Sequence, residues 1–284
     1  MSNRLIRKPG FARPVRLGAA EIGSLASECL RLEIHTYPKP GLVSHVDQGA
    51  HADMDCALLE ASAEALRPFF QQLYEAGKHG AEMSVLREIG LAAEAAMLCR
   101  TGGVNTHRGA IFGLGLLCAA AGLRAARRDP AALGQIVAHH WGTAILAGPR
   151  VATSHGALAQ ARYGTGGARV EAATGYPSLY DTALPALRRA RGVVRRDENA
   201  ARVQCCMALI AKVDDTNLLH RGGQAGLNFA RIAARRFLNA GGVGAPDWQS
   251  RASNMHHAFI EHHLSPGGCA DLLGMALFLD RLEA

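Results

Sequence analysis

The sequence predicts an all-α fold, a compact bundle of about nine to eleven helices joined by glycine-rich loops. Apolar residues recur three and four positions apart over most of the chain, and this periodicity is typical of amphipathic helices. Alternating runs of Val, Ile, Thr and aromatic residues, which are typical of strands, are nearly absent. No period of about 20 to 50 residues recurs, so a helical repeat array is not indicated.

The helical pattern occurs in ten segments along the chain. In order, they are 17–34, 57–74, 83–99, 110–123, 133–146, 183–190, 200–213, 225–238, 248–263 and 272–282. Glycine and proline punctuate the chain between them, and the longest irregular stretch runs from Gly164 to about Pro177. We expect residues 1–16 to form a flexible basic arm and residues 17–284 to form a single all-α domain.

Composition narrows the class of protein. The chain is 49% hydrophobic, which is ample for a large core. Its seven cysteines include no Cys-x-x-Cys pair, so they indicate reduced thiols in a cytoplasm rather than a disulfide framework or structural zinc site. The absence of a long apolar run predicts that there is no membrane partner. The charge of +7 comes with only 5% aromatic residues, so nucleic acid is not predicted as a partner.

Five segments combine glycine with charged, hydroxyl, amide and imidazole side chains. They are 39–55, 103–109, 166–171, 214–223 and 264–271. Glycine lets a backbone approach a ligand closely, and acids beside Lys, Arg and His can hold both a cation and phosphates. The pattern predicts one polar site on a helical scaffold.

These segments carry the motifs of a known family. The motifs are Pro38-Lys39-Pro40-Gly41-Leu42-Val43, Gly49-Ala50-His51 with Asp53-Met54-Asp55, Gly103 to Gly109, Gly167-Ala168-Arg169 with Glu171-Ala172 and Gly175-Tyr176-Pro177, Asp215-Thr216-Asn217 with Arg221-Gly222-Gly223, and Ser265-Pro266-Gly267-Gly268 with Ala270-Asp271-Leu272-Leu273. In this order they resemble the triphosphoribosyl-dephospho-CoA synthase family, from about Glu33 to Leu279. Ser44-His45 and the run from Asp214 to Arg221 look more like the malonate-decarboxylase type than the citrate-lyase type.

The resemblance implies an enzyme with glycine-rich active-site loops. Such an enzyme transfers the 5-triphosphoribosyl group of ATP to the ribose 2′-hydroxyl of 3′-dephospho-CoA and releases adenine. The product is the prosthetic-group precursor for the acyl carrier protein of malonate decarboxylase or citrate lyase. Magnesium is the implied cofactor, and the chain could form a homodimer. Two other functions are a magnesium-dependent hydrolase of ADP-ribose-type conjugates and a basic, non-enzymatic binding module.

Two acidic pairs are the predicted metal ligands. Asp53 and Asp55 precede the helical segment 57–74, where close carboxylates can share Mg²⁺, although Asp55 could simply cap that helix. Asp214 and Asp215 follow segment 200–213, where the helix dipole disfavours negative charge, so a bound cation or a nearby basic residue should offset it. We expect Asp53, Asp55, Asp214 and Asp215 to bind Mg²⁺.

Catalysis is expected of the same acids and a neighbouring histidine. His51 could accept the proton of an attacking hydroxyl, because its unperturbed pKa is about 6.5. We therefore predict His51, Asp53, Asp55 and Asp215 as catalytic residues.

The remaining predicted site residues would contact the substrates. They are Lys39, Asn105, Thr106, His107, Arg108, Arg169, Glu171, Asn217, Arg221, Ser265 and Asp271. The run from Asn105 to Arg108 precedes segment 110–123, whose first N–H groups could receive a phosphate or be capped by these side chains. Arg169 and Glu171 follow a glycine-rich loop that could act as a lid, and Asp271 could bind substrate or cap the last helix.

Three histidine doublets, at 139–140, 256–257 and 262–263, are predicted to lie on the surface. Adjacent side chains on a helix point about 100° apart, so a doublet is a poor metal chelator.

Overall fold

The computed structural model describes residues 17–149, 159 and 161–283, so the predicted basic arm over 1–16 lies outside the described residues. These residues form eleven α-helices and contain no strand, which confirms the all-α prediction. A π-helical turn, Leu179–Ala183, precedes the seventh helix, and a 3₁₀ turn, Gly242–Gly244, follows the ninth.

The helices are numbered here in chain order. The first six are α1 Ala19–Ile34, α2 Cys56–Lys78, α3 Met83–Arg100, α4 Arg108–Arg127, α5 Leu133–Ala147 and α6 Gly167–Ala173. The others are α7 Leu184–Val194, α8 Glu198–Lys212, α9 Thr216–Asn239, α10 Trp248–Glu261 and α11 Gly267–Leu282.

Helix α4 is the centre of the bundle, and nearly every residue from Ala110 to Leu123 is buried. Of the described helices it alone is long and apolar enough to cross a membrane, yet most of it is enclosed by other helices, as in the core of a globular protein. Small residues let α2 approach it. A Cβ atom on Gly77 would lie 1.9 Å from the Ala119 carbonyl oxygen, so glycine is required at this crossing.

The apolar stripes of the other helices surround α4. One hydrophobic cluster extends from Ile22 on α1 to Leu279 on α11 and includes residues of most of the helices between them. Asp280 is a buried carboxylate within this core, and it is paired with Arg188 and Arg191 on α7. Burial of the apolar stripes stabilises the bundle by roughly 25 cal/mol per Å² removed from water.

Two elements differ from the sequence prediction. The stretch after Gly164 was expected to be irregular, but it contains the short helix α6. The ninth helix begins at Thr216 rather than at 225, and its axis is broken at Gly223, where φ is 61°. In this first part of α9, polar residues and glycines interrupt the apolar period. The sequence pattern therefore did not indicate a helix there.

Candidate active site

Three of the five polar segments meet at His51. Its Nε2 atom lies 2.8 Å from Ser265 Oγ, and its Nδ1 atom lies 3.2 Å from Arg221 Nη2 and 3.4 Å from Asp53 Oδ1. Burial and the Arg221 charge lower the pKa of His51 below its usual range, although Asp53 opposes this shift. The lowered pKa favours the unprotonated imidazole, which is the form that a general base requires.

Arg221 ties these segments together. Its Nη1 atom donates to the carbonyl oxygens of Ala50 and His263, at 3.0 and 3.2 Å. The guanidinium therefore bridges residues 38–51 of the loop between α1 and α2, called the 38–51 loop, and the turn between α10 and α11. Its Nη2 atom is directed at His51. Predicted site residues that lie up to 214 positions apart in the chain are thus brought together.

A buried histidine fixes the 38–51 loop. His256 is fully buried, its Nε2 atom lies 3.0 Å from both carboxylate oxygens of Asp47, and its Nδ1 atom lies 2.7 Å from the Lys39 carbonyl oxygen. The surface prediction was therefore wrong for His256, although its neighbour His257 is exposed. The helical pattern could not distinguish them, because the partner of His256 lies 209 positions away in sequence.

The same loop depends on glycine at position 41. Gly41 has φ of +66°, and a Cβ atom there would lie 2.0 Å from the Leu264 carbonyl oxygen. The close approach brings the loop against the α10–α11 turn, next to Ser265. Glycine is the residue that permits both the left-handed backbone and this contact.

Asp53 and Asp55 line an open cleft of about 480 Å³, together with Arg100 on α3. Asp55 Oδ1 accepts the Leu58 N–H at 2.8 Å, so Asp55 caps α2, one of the two roles predicted for it. Asp53 is 61% exposed and makes no cap. Mg²⁺ is usually held by one or two carboxylates, waters and substrate phosphates, so these two acids fit such an ion.

Asp215 has a different environment. It is buried, its Oδ1 accepts the N–H groups of Asn217 and Leu218 at 2.8 and 3.2 Å, and its Oδ2 accepts the Cys269 N–H at 2.8 Å. Burial raises its pKa, and these N–H donors oppose the rise. Asp215 joins the first turn of α9 to the first turn of α11.

The helix-end argument for a bound cation does not hold at Asp215, and at Asp214 a basic residue supplies the compensating charge, as the alternative predicted. Asp214 and Asp215 were assigned to the end of a helix, but α8 ends at Lys212 and Asp215 is the N-cap of α9, where the helix dipole favours a negative charge. Asp214 pairs with Arg231 at 2.7 Å. Within the described part of the chain, the four predicted aspartates include no group of three ligand atoms within 4.8 Å of one another.

Lys39 and Glu33 form a buried ion pair. The Lys39 ammonium contacts Glu33 Oε1, and Lys39 is only 1% exposed. Sequence reasoning missed Glu33, a carboxylate between Leu32 and Ile34 in the last turn of α1. Because Glu33 neutralises Lys39, a phosphate at Lys39 would have to compete with an existing partner.

His107 is buried beside this pair. Its Nδ1 atom lies 2.8 Å from Ser62 Oγ, and its Nε2 atom has no hydrogen-bond partner among the described residues. Burial and the Lys39 charge lower the pKa of His107 to about 4. His107 is therefore uncharged at neutral pH, so it would meet a phosphate as a neutral hydrogen-bonding group.

The neighbours of His107 also have partners. Thr106 Oγ1 lies 2.7 Å from Ser62 Oγ, and Asn105 Oδ1 accepts the N–H of Arg108, the first residue of α4, at 3.2 Å, although the N-cap itself is His107. Arg108 is paired with Glu94. Contact of these side chains with substrate stays a prediction.

Asp271 reaches the start of α4. Its carboxylate fills the space beside Gly109, where a Cβ atom would lie 2.0 Å from Asp271 Oδ2. Burial and the charges of Glu33 and Asp215 raise the pKa of Asp271 well above its usual range, while a hydrogen bond from the Ala110 N–H opposes the rise. Asp271 thus occupies part of the helix terminus at which a phosphate was predicted.

Arg169 and Glu171 have structural roles in this fold. Arg169 donates to carbonyl oxygens at the end of α5, including those of Leu146 and Gly148 at 3.0 and 2.9 Å. Glu171 accepts both the N–H and the hydroxyl of Ser178, at 2.7 and 3.0 Å. Substrate binding by either side chain stays a prediction.

Asn217, in contrast, lies at the α9–α11 junction, and its amide packs against Gly267.

Replacing Arg221 by Gln is expected to raise the pKa of His51, because the imidazolium loses a repulsive neighbour. The shift can be measured by NMR titration of the His51 ring protons. Arg251→Gln is the control, since Arg251 is exposed on α10 and pairs only with Asp247 among the ion pairs of the described chain. An unchanged His51 pKa in Arg221→Gln would exclude this electrostatic coupling.

The comparisons with known proteins identify the family of this chain. The family described as ATP:dephospho-CoA triphosphoribosyl transferase matches residues 19–284. The chain is 42% identical to a probable 2-(5″-triphosphoribosyl)-3′-dephosphocoenzyme-A synthase of Azotobacter vinelandii, over 93% of this chain and 92% of the relative. It is 38% identical to the 2-(5″-triphosphoribosyl)-3′-dephosphocoenzyme-A synthase of Klebsiella pneumoniae, over 100% of this chain and 98% of the relative.

No solved structure matches the chain. The family match covers all eleven described helices and every predicted site residue. The chain therefore belongs to the ATP:dephospho-CoA triphosphoribosyl transferase family, and it is a transferase.

Proposed function

We propose that this enzyme transfers the 5-triphosphoribosyl group of ATP to the ribose 2′-hydroxyl of 3′-dephospho-CoA. The product is 2′-(5″-triphosphoribosyl)-3′-dephospho-CoA, and adenine leaves. The observation that carries the proposal is the junction of His51, Arg221 and Ser265 next to the cleft lined by Asp53 and Asp55. Family membership supports ATP and 3′-dephospho-CoA as the substrates. At the junction, the imidazole of His51, a candidate base, lies beside the Arg221 guanidinium and the Asp53 carboxylate.

In the proposed reaction, the bond between the anomeric carbon of ATP and adenine breaks, and a bond from that carbon to the 2′-oxygen forms. His51 accepts the hydroxyl proton, and the departing adenine takes up a proton. Positive charge develops on the ribose ring, as in other glycosyl transfers, and carboxylates facing the cleft stabilise it. Asp53 is the exposed carboxylate closest to His51 and is suited to this role.

We assign Mg²⁺ to the cleft side of Asp53 and Asp55, where the ion would neutralise triphosphate charge. Arg221 and Arg100 are the cations that we assign to phosphates. Arg221 belongs to the His51 junction, and Arg100 lines the cleft, although the sequence did not point to it. Metal binding by Asp214 and Asp215 has less support, because Arg231 and backbone N–H groups already satisfy these acids.

We further propose that the product serves the acyl carrier protein of malonate decarboxylase. Ser44, His45 and the run from Asp214 to Arg221 support this over the citrate-lyase pathway, because they resemble the former type. The seven free cysteines support a cytoplasmic location, since reduced thiols persist there. A homodimer stays a prediction that sedimentation would test.

The proposed reaction is tested by incubating the enzyme with ATP and Mg²⁺, with and without 3′-dephospho-CoA. We expect adenine release only when dephospho-CoA is present, with one adenine formed for each triphosphoribosyl adduct. Equal adenine release in both samples would instead identify a hydrolase that uses water as the acceptor.

Asp53→Asn and Asp55→Asn are each expected to reduce turnover at least about tenfold, which corresponds to about 1.4 kcal/mol of transition-state stabilisation. Their melting temperatures should stay near that of the wild type, because Asp53 makes no cap and Asn caps a helix about as well as Asp. Steady-state kinetics and thermal unfolding test both points. Asp247→Asn, at the exposed N-cap of α10, is the control. Wild-type turnover in Asp53→Asn would remove Asp53 from the mechanism.

A further inference from the structure

A second group of metal-ligating side chains lies at the junction of α1 and α2. His35, Cys56 and Glu60 each offer one ligand atom, and these atoms lie within 4.8 Å of one another. Within residues 17–149, 159 and 161–283, no other group of three His, Cys, Asp or Glu side chains meets this criterion. None of the three was a predicted site residue, and the proposed transfer reaction does not use them.

Helix geometry explains why the three side chains converge. Cys56 is the first residue of α2, and Glu60 follows one turn later on the same helical face. His35 is the C-cap of α1, which packs along α2. Its Nε2 atom lies 2.6 Å from Glu60 Oε1, so two of the ligands are already in contact. All three residues are half-buried, which leaves an ion a route of entry.

The charges favour a divalent cation at this point. Glu60 and a Cys56 thiolate would supply two negative charges. The carbonyl end of α1 adds the negative end of one helix dipole, and the positive end of the α2 dipole at Cys56 is offset by its N-cap, Asp55. Arg31 is a nearby competing cation, but its Nε atom is 4.0 Å from Glu60 Oε1 and its side chain is 58% exposed. An ion bound here would replace the proton of the Cys56 thiol and take the place of the hydrogen bond between His35 and Glu60.

We infer that His35, Cys56 and Glu60 form a binding site for a borderline transition-metal ion of the Zn²⁺ class. Sulfur and imidazole ligands select Zn²⁺ or Co²⁺ and disfavour Mg²⁺, which prefers oxygen ligands. Tetrahedral zinc places nitrogen and sulfur ligands about 3.5 Å apart, so small side-chain rotations would close the site. A water or the exposed His45, whose ring stacks on that of His35 at 5.5 Å, could take the fourth position.

Spectroscopic titration of the reduced enzyme with Co²⁺ tests the site without measuring activity. We expect saturable binding of one ion per chain, with the absorption of a tetrahedral Co²⁺–thiolate centre, and displacement by Zn²⁺. Cys56→Ser should remove the thiolate band, and His35→Gln should weaken Co²⁺ binding at least tenfold. Cys99→Ser is the matched control, because Cys99 is an exposed cysteine on α3.

A second measurement uses only the wild-type chain. Zn²⁺ should slow the alkylation of Cys56 by a maleimide at least tenfold, while Cys99 in the same sample reacts at an unchanged rate, as read by peptide mass spectrometry. Absence of a thiolate band in wild-type enzyme, its persistence in Cys56→Ser, or equal alkylation of Cys56 with and without Zn²⁺ would overturn the inference. None of these readouts depends on the proposed transfer reaction.

Discussion

Replacing Lys39 by Met is expected to lower the free energy of unfolding by about 3–5 kcal/mol. Lys39 is almost completely buried and contacts Glu33, so the substitution leaves a carboxylate in the core without its cation. Chemical denaturation monitored by circular dichroism measures the change. The large effect would come from leaving Glu33 buried without a compensating positive charge. The intact pair, in contrast, contributes little net stability.

Two further variants separate these causes. Lys39→Met combined with Glu33→Gln should recover part of the lost stability, since no uncompensated charge then remains. Lys78→Met is the matched control, because Lys78 forms an exposed pair with Glu75 on α2 and should cost less than about 1 kcal/mol. If Lys39→Met lowered the free energy of unfolding no more than Lys78→Met does, the idea that Lys39 compensates a buried Glu33 charge would be contradicted.

Replacing Asp215 by Asn is expected to cost about 1–3 kcal/mol of stability. An asparagine oxygen can still accept the N–H groups of Asn217 and Leu218, but its NH₂ group would then face the Cys269 N–H. Two donors would meet in a buried space, and neither would have an acceptor. Thermal and denaturant unfolding measure the loss.

The neighbouring acid supplies the control. Asp214→Asn removes an exposed partner of Arg231 and should change stability by less than about 1 kcal/mol. Equal stability of Asp215→Asn and wild type would contradict the buried connection between α9 and α11. Activity of Asp215→Asn must therefore be measured well below its melting temperature, where the variant is folded.

Helical periodicity was sufficient to predict the fold class, because the long helices around α4 each expose one face and bury the other. It failed where a helix is short or polar. Helix α6 has seven residues, and the first part of α9 is interrupted by Gly223. The error at Asp215 has the same origin, since a carboxylate between two helices was assigned to the end of one instead of the start of the next.

The fold brings three of the five predicted polar segments together at His51, but it gives several of the predicted side chains partners within the protein. His51, Arg221 and Ser265 meet because the 38–51 loop and the α10–α11 turn pack together. The sequence could not reveal that Lys39 is neutralised by Glu33 or that His256 is buried against Asp47. These pairings depend on tertiary contacts, whereas sequence patterns report only local exposure.

In the proposed reaction, the 2′-hydroxyl of dephospho-CoA attacks the ribose of ATP with His51 as its base. The most direct measurement is the rate of adenine release from ATP with 2′-deoxy-3′-dephospho-CoA as the acceptor, alongside a binding titration of the same compound. We expect the deoxy compound to bind and adenine release to fall to background, because the nucleophile is absent. Adenine release at the rate seen with 3′-dephospho-CoA would contradict the claim and show that the acceptor is water or a protein side chain.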